Sequence, residues 1–238
     1  MKKKNTDDIK ENEENPFLQS TGDLMAGLLF IFILLLMGTL VQVQKKAEQD
    51  KIIATQYNIV KKELYVKLSK EFKEELKSWE ADLDSTTLSI KFKEPTMLFD
   101  KNQAVLKDTF MHVLNKFYPR YITVLQKYNR ENKGKNNIEE IRIEGYADSD
   151  GRYMHNMELS QERARNVLEY CLKIQHMHSE IDSIWVKEHI SANGFADSRG
   201  INANNATMEE NKAASRRVEF RVKTNAEQLL EDIVRKRQ

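Results

Sequence analysis

The strongest feature of the hydrophobic pattern is an apolar run near the start of the chain. Leu24 to Val43 is about twenty residues long and carries no charged side chain. At about 1.5 Å of rise per residue, a helix of this length crosses the roughly 30 Å hydrocarbon core of a bilayer. The pattern therefore predicts a single membrane-spanning helix over 17–43, preceded by a polar and highly charged tail over 1–16.

One carboxylate, Asp23, lies at the leading end of this run. Counted from Phe17 it is about 9 Å inside the apolar segment. A carboxylate in the middle of a membrane costs about 2.5–3.5 kcal/mol, and less near an end, so such a group is a candidate for function. The alternative is that Ser20 or Asp23 is an ordinary N-cap at the lipid headgroups, since capping and acidic side chains both suit the start of a helix.

Residues 44–84 are charged, but apolar residues recur among them at three-, four- and seven-residue steps. The apolar positions are Ile53, Val60, Leu64, Leu68, Phe72, Leu76, Trp79 and Leu83. This spacing predicts a long amphipathic helical linker that continues from the membrane segment. A narrow apolar stripe needs a partner, which is either a second copy in a coiled coil or the domain that follows.

The rest of the chain alternates between the periods of strands and helices. Strands are predicted at 87–93, 138–145, 189–194 and 216–222, and helices at 106–118, 121–128, 159–174 and within 195–215. This order, with no repeat of fixed period, predicts one α/β sandwich domain over 85–224, with a mixed sheet and helices packed on it. Residues 225–238 are predicted to form a helical tail.

Charge and composition exclude several classes of function. The chain has 38 Lys and Arg against 37 Asp and Glu, so no overall field favours nucleic acid. Cys171 is the only cysteine, which excludes an internal disulfide; its thiol is either half-buried on a helix or available for a disulfide between two chains. The five histidines form no H-E-x-x-H pattern and there is no G-x-S-x-G. We therefore predict no enzyme, no metal site and no cofactor.

A candidate binding site comes from one loop and the helix that follows it. Asp148 lies in the turn after a strand, Asn156 in the loop, Ser160 at the expected helix N-cap, and Arg163 in the first turns of that helix. Together they would form a polar pocket for a zwitterionic ligand, with Asp148 binding an amine and Arg163 a carboxylate. The alternative is a surface ion pair between Asp148 and Arg163, with the asparagines in turns.

Several motifs follow one another across roughly 87–223: LFDKNQAVL, GYADSDG, N-x-x-L-S-x-x-R-A-x-x-V, S-x-x-G-F-A and RRVEF. In this order they resemble the peptidoglycan-binding domain of the OmpA, Pal and MotB group. The resemblance implies that the diaminopimelate of the peptide stem is held at this site; the implied residues are Asp148, Asn156, Leu159, Arg163 and Arg216. Ala147 stands where the group usually has Thr, and Ser215 stands where it usually has Asn.

A membrane helix that starts with an aspartate, a helical linker and this domain together resemble MotB-type stator subunits, and most of all the ZorB family of the Zorya antiphage system. The resemblance implies that Asp23 carries a proton or a sodium ion. It also implies a homodimer inside a ring of a larger, multi-helix MotA/ZorA-like subunit of the bacterial inner membrane, with peptidoglycan as a further partner. Lysines flank the helix on both sides, so charge does not decide the orientation of the helix. The predicted orientation, with a cytoplasmic N-terminus and a periplasmic domain, therefore rests on the resemblance alone. The alternative is a passive envelope tether that links the inner membrane to peptidoglycan.

Overall fold

The computed structural model describes residues 16–93, 98–100, 102–131, 138–175, 181–204 and 207–225. The chain divides into two compact units, Met1–Lys51 and Ile52–Gln238. Nearly all of the predicted tail over 1–16 and of the predicted helical tail over 225–238 lies outside the described residues.

Helix α1 (Pro16–Phe72) contains the apolar run in the first unit. All side chains from 20 to 49 are exposed. Within the part of the chain that the structure describes, this one helix is long and apolar enough to cross a membrane. Because α1 begins at Pro16, a residue that suits the first turn of a helix, Ser20 and Asp23 lie inside it and neither caps it. The N-cap interpretation is therefore wrong.

The second unit is built on a mixed sheet. Among the described residues its strands are β1 (Ala81–Asp84), β2 (Ser89–Phe92), β3 (Ile138–Gly145), β4 (Ile190–Gly194) and β7 (Val218–Thr224), in the order β1-β2-β7-β3-β4. Strands β3 and β4 are parallel, and the other neighbours are antiparallel. The short strands β5 (Asn202–Asn204) and β6 (Thr207–Glu210) pair separately. The predicted α/β domain with a mixed sheet is confirmed.

Helices pack on this sheet around an aromatic core. The described helices are α2 (Asp108–Glu131), α3 (Tyr153–Gln175), α4 (Ser183–His189) and α5 (Lys212–Ser215). The ring of Phe117 on α2 lies 5.0 Å from that of Phe220 on β7 and 5.1 Å from that of Phe92 on β2, measured between centroids. The predicted break at Pro119 is wrong: α2 runs through this residue, because burial of the flanking Tyr118 and Tyr121 outweighs the local cost of proline.

The last part of α1 packs on its own domain. The side chains of Val60, Leu64, Leu68 and Phe72 are all buried in the core. The rings of Phe72 and Phe117 are 5.2 Å apart, and Arg120 of α2 donates hydrogen bonds of 2.7 and 2.6 Å to the carboxylates of Glu71 and Glu75. Over 60–72, therefore, the partner of the apolar stripe is the following domain and not a coiled-coil neighbour.

The linker helix was predicted to continue to residue 84, but it ends at Phe72. Turns occupy 73–80, and β1 then begins at Ala81. Trp79 folds back so that its ring lies 6.0 Å from that of Phe72. Leu83 faces Ile90 across the pair of β1 and β2. The helical prediction failed here because these apolar residues reach the same core from turns and a strand.

Cys171 on α3 is fully buried. Burial raises the pKa of its thiol well above the ordinary value. The thiol lies on a helix as expected, but it is fully buried where half burial was expected, so a disulfide between two chains would require the core to open.

Candidate functional site

A pocket of about 350 Å³ lies between the end of β3, the start of α3 and the residues 98–100 and 102–107. The pocket is lined by all five residues predicted to bind peptidoglycan, which are Asp148, Asn156, Leu159, Arg163 and Arg216. Its lining also contains residues that the sequence analysis did not single out as site residues, namely Phe99, Asp100, Asn102, Lys107, Ala147 and Asp150. The structure thus brings the predicted binding residues to one place.

Helix α3 starts earlier than predicted. It begins at Tyr153 and not near Leu159, so Asn156 lies in its first turn and not in a loop. The side-chain amide of Asn156 donates a hydrogen bond of 3.1 Å to the backbone carbonyl of Asp148. The apolar spacing did not mark this first turn because Tyr153 and Met154 are exposed to solvent.

Ser160, predicted as the N-cap of this helix, lies within it instead. Its Oγ donates to the carbonyl of Met157 at 3.0 Å and accepts from the backbone N–H of Ala196, also at 3.0 Å. Ser160 therefore joins α3 to the loop that follows β4, and its side chain is not available to cap the helix.

Two glycines allow α3 to lie close to the sheet. A Cβ added at Gly145 would lie 2.2 Å from the carbonyl oxygen of Ser160, and one at Gly194 would lie 2.5 Å from the backbone nitrogen of Gln161. The side chain of Gln161 also accepts a bond of 2.7 Å from the N–H of Gly194 and donates one of 3.2 Å to the carbonyl of Ala192. These contacts fix the part of α3 that carries the pocket residues.

Arg163 is buried, with 5% of its surface exposed. Its Nε donates to the carbonyl of Gln103 at 2.9 Å and its Nη2 to that of Asp100 at 3.5 Å. The guanidinium carbon lies 4.9 Å from the ring centroid of Phe99. Burial, assisted by the positive charge of Arg216, lowers the pKa of Arg163 to about 10. The side chain is therefore a fixed cation at neutral pH.

Asp148 is also buried, and groups of the protein contact both oxygens of its carboxylate. Its Oδ1 accepts a hydrogen bond of 3.1 Å from the backbone N–H of Asp150. Its Oδ2 forms an ion pair with Nη1 of Arg216. A surface pair between Asp148 and Arg163 is therefore wrong: the partner of Asp148 is Arg216, and both Asp148 and Arg163 are buried.

The profile of the OmpA family matches residues 98–215. A curated relative, the Zorya protein ZorB of the Crooks strain of Escherichia coli, is 34% identical over 233 residues, which cover 94% of this chain and 95% of the relative. The chain belongs to the ZorB family. A second Zorya protein ZorB, from Escherichia coli O139:H28, is 29% identical over 93% of this chain and 84% of its own length. The resemblance drawn from the motifs is confirmed.

Two solved structures are also similar to this ZorB-family chain. A MotB-like protein from Desulfovibrio vulgaris is 22% identical, with a TM-score of 0.45 over 71% of this chain and 95% of that one. The cell wall anchor of the T6SS from Pseudomonas aeruginosa is 21% identical, with a TM-score of 0.42 over 64% of this chain and 94% of that one.

The two departures from the motif pattern have local roles in this ZorB-family chain. Ala147 is buried, and its backbone N–H donates a bond of 2.8 Å to the carbonyl of Ala196. Ser215 is also buried, and its Oγ accepts a bond of 2.9 Å from the N–H of Ile201. Ser215 therefore supports the turn before Arg216 with its side chain, whereas the bond of Ala147 comes from its backbone and would form with any residue other than proline. Asp23 belongs to the first unit, where it is exposed on α1.

Proposed function

We propose that this ZorB-family chain is the peptidoglycan-anchored, stator-like subunit of an ion-driven motor in the inner membrane, acting in antiphage defence. The main support for the proposal is that one pocket is lined by Asp148, Asn156, Leu159, Arg163 and Arg216 together. A wall-binding site on one unit and, on the other, an apolar run that begins at the carboxylate of Asp23 are the two parts that such a subunit needs.

The pocket suits a residue of a peptide stem, such as diaminopimelate. Guanidinium groups bind carboxylates with short, charge-assisted hydrogen bonds. Arg163 is already held in place by two backbone carbonyls, so its side chain loses little freedom when a ligand binds. The apolar side chains of Phe99 and Leu159 in the same lining would contact the aliphatic part of the ligand.

Sedimentation with peptidoglycan tests the anchoring part. The full chain in detergent should sediment with purified peptidoglycan, and Arg163→Ala should weaken this binding by about tenfold or more, the effect of losing one hydrogen bond between charged partners. Arg165→Ala is the matched control, because Arg165 lies on the same helix but is exposed and outside the pocket. If Arg163→Ala sediments as the unaltered chain does, the pocket is not the wall-binding site.

In the membrane, two copies pair through the apolar helix inside a ring of a larger multi-helix subunit. The N-terminus is cytoplasmic and the second unit is periplasmic, where peptidoglycan lies. Asp23 takes a proton from the periplasmic side and releases it inward; sodium is the alternative ion. Each elementary charge that crosses the membrane supplies about 2.3 kcal/mol per 100 mV, which is enough to bias conformational steps in a packed ring.

A passive envelope tether is the second candidate. One observation favours it: the stripe over 60–72 is buried within its own domain, so it does not need a second copy of the chain. A tether would require the pocket but not the carboxylate of Asp23, and this difference separates the two candidates.

A further inference from the structure

The turn over 148–151 carries Asp148 at the edge of the pocket. Just before it, the backbone of neighbouring segments holds the chain: the N–H of Tyr146 donates to the carbonyl of Arg217 at 3.0 Å, and that of Ala147 to the carbonyl of Ala196 at 2.8 Å. Among the described residues, no such backbone bond continues at Asp148 and the residue after it. The position of this turn therefore depends on side chains.

Two side chains from outside the turn bond to its backbone. One is Asn156, whose amide donates to the carbonyl of Asp148. The other is Glu210, whose Oε2 accepts a hydrogen bond of 3.1 Å from the backbone N–H of Ser149. Glu210 is the last residue of β6, which pairs only with β5 and lies outside the main sheet. The second bond thus joins the turn to a separate part of the chain, 61 residues further on.

The backbone beside Glu210 is fixed, so its carboxylate is a firm support. The N–H of the next residue, Asn211, donates to the carbonyl of Ile201 at 2.6 Å. Burial alone would raise the pKa of Glu210, but the hydrogen bonds from Ser149 and the charge of Lys212 help to lower it below the ordinary value. The acceptor is therefore ionised at neutral pH, and hydrogen bonds to ionised groups are stronger than those between neutral groups.

Other contacts between the turn and the same segment differ from that of Glu210. Lys212 forms an ion pair of 2.6 Å with Asp150, but both side chains are exposed, and such pairs add little stability. Arg216 forms an ion pair with Asp148, and both residues line the pocket themselves. Glu210 is not among the lining residues, yet it holds the backbone next to Asp148.

We propose that Glu210 is a positioning residue for wall binding: by accepting the N–H of Ser149, it keeps the turn in the conformation that places Asp148 in the pocket. The inference rests on the proposed peptidoglycan-binding function and leaves the ligand contacts of the pocket unchanged. The apparent affinity of a site falls with the fraction of molecules that have the binding conformation. Without Glu210, a ligand would have to order the turn when it binds.

Sedimentation of the full chain in detergent with increasing amounts of purified peptidoglycan measures the apparent Kd. Glu210→Ala removes the acceptor and should raise this Kd about fivefold or more. Glu210→Gln keeps an acceptor oxygen at the same reach and should recover most of the affinity. Glu209→Ala is the matched control, because Glu209 is the neighbouring carboxylate on β6 and is exposed.

Hydrogen exchange of the free chain supplies a readout that does not depend on a ligand. The backbone amides over 148–151 should exchange faster in Glu210→Ala than in Glu209→Ala, while exchange in the core strands of the second unit stays unchanged. A residue that only stabilises the whole unit would instead speed exchange throughout it.

The inference is overturned if Glu210→Ala binds peptidoglycan as tightly as Glu209→Ala does, or if the amides over 148–151 exchange no faster. Faster exchange throughout the second unit would overturn it too. A failure of the proposed function looks different, because the unaltered chain then does not sediment or Arg163→Ala sediments equally well. A chain that sediments through Arg163 but is insensitive to Glu210→Ala keeps the anchoring function and loses only this inference.

Discussion

Replacing Leu68 by alanine should destabilise the second unit, whereas the same change at Ile59 on the same helix should have little effect. Leu68 is fully buried, while Ile59 is 44% exposed. Removing a buried leucine side chain leaves a cavity and costs about 2–5 kcal/mol. Substitutions on exposed helix positions are usually within about 0.5 kcal/mol, and alanine is the better helix former. The two variants therefore remove apolar side chains of the same size, one from a buried position and one from an exposed position of the same helix.

The expected loss is large against the roughly 5–15 kcal/mol by which domains are stable. For a domain of this size, each kcal/mol lowers the Tm by about 2–4 °C, so Leu68→Ala should lower it by roughly 4–20 °C. Tryptophan fluorescence of the full chain in detergent can follow unfolding, because the ring of Trp79 lies 6.0 Å from that of Phe72 and 6.1 Å from that of Phe117.

A coiled-coil role for this stripe predicts different behaviour. The unfolding midpoint would then depend on protein concentration, since two copies would separate as they unfold. Equal losses for the two substitutions, or a loss for Leu68→Ala that changes with protein concentration, would refute the packing of 60–72 against its own domain.

Two further predictions concern charge and close packing. Burial alone would raise the pKa of Asp84, but hydrogen bonds from Lys91 and two threonine amides lower this pKa from 3.8 to about 2. The stability that the Asp84 carboxylate contributes is therefore present above pH 3.8 and is lost as the pH falls towards 2. Asp84→Asn should flatten the dependence of the Tm on pH in this window. Gly145→Ala would force a Cβ against the backbone of Ser160 and should lower the Tm strongly, whereas Gly200→Ala meets the end of a flexible side chain and should not.

The periodicity of the sequence predicted the elements that have one buried face. Strand β3 was predicted over 138–145 and is found there, because the buried Ile141 and Ile143 alternate with polar residues along the strand. The failures have local causes. In the first turn of α3 the apolar residues Tyr153 and Met154 are exposed, so this turn shows no buried apolar stripe. Helix α1 ends at Phe72 although apolar residues continue at helical spacing, because tertiary packing brings those residues into the core from turns and a strand.

The motifs located the pocket but did not predict the contacts between its residues. Asp148 and Arg216 are 68 residues apart in the chain, and no local pattern could show that Arg216, and not Arg163, is the partner of Asp148. Likewise, the carbonyls that hold Arg163 come from residues 60 and 63 positions earlier in the chain. Phe99 was missed for the same reason, since its contact with Arg163 arises only when the segment before α2 folds over α3.

The most direct test of the central claim compares the unaltered chain with Asp23→Asn and Asp23→Glu in cells that also carry the neighbouring genes. Phage protection is scored, and membrane levels are checked by immunoblot. An ion-driven stator subunit predicts that Asp23→Asn abolishes protection at equal protein level, while Asp23→Glu, which keeps the carboxylate, retains part of it. Full protection by Asp23→Asn would contradict ion transfer through Asp23 and leave a wall-bound tether as the function of this chain.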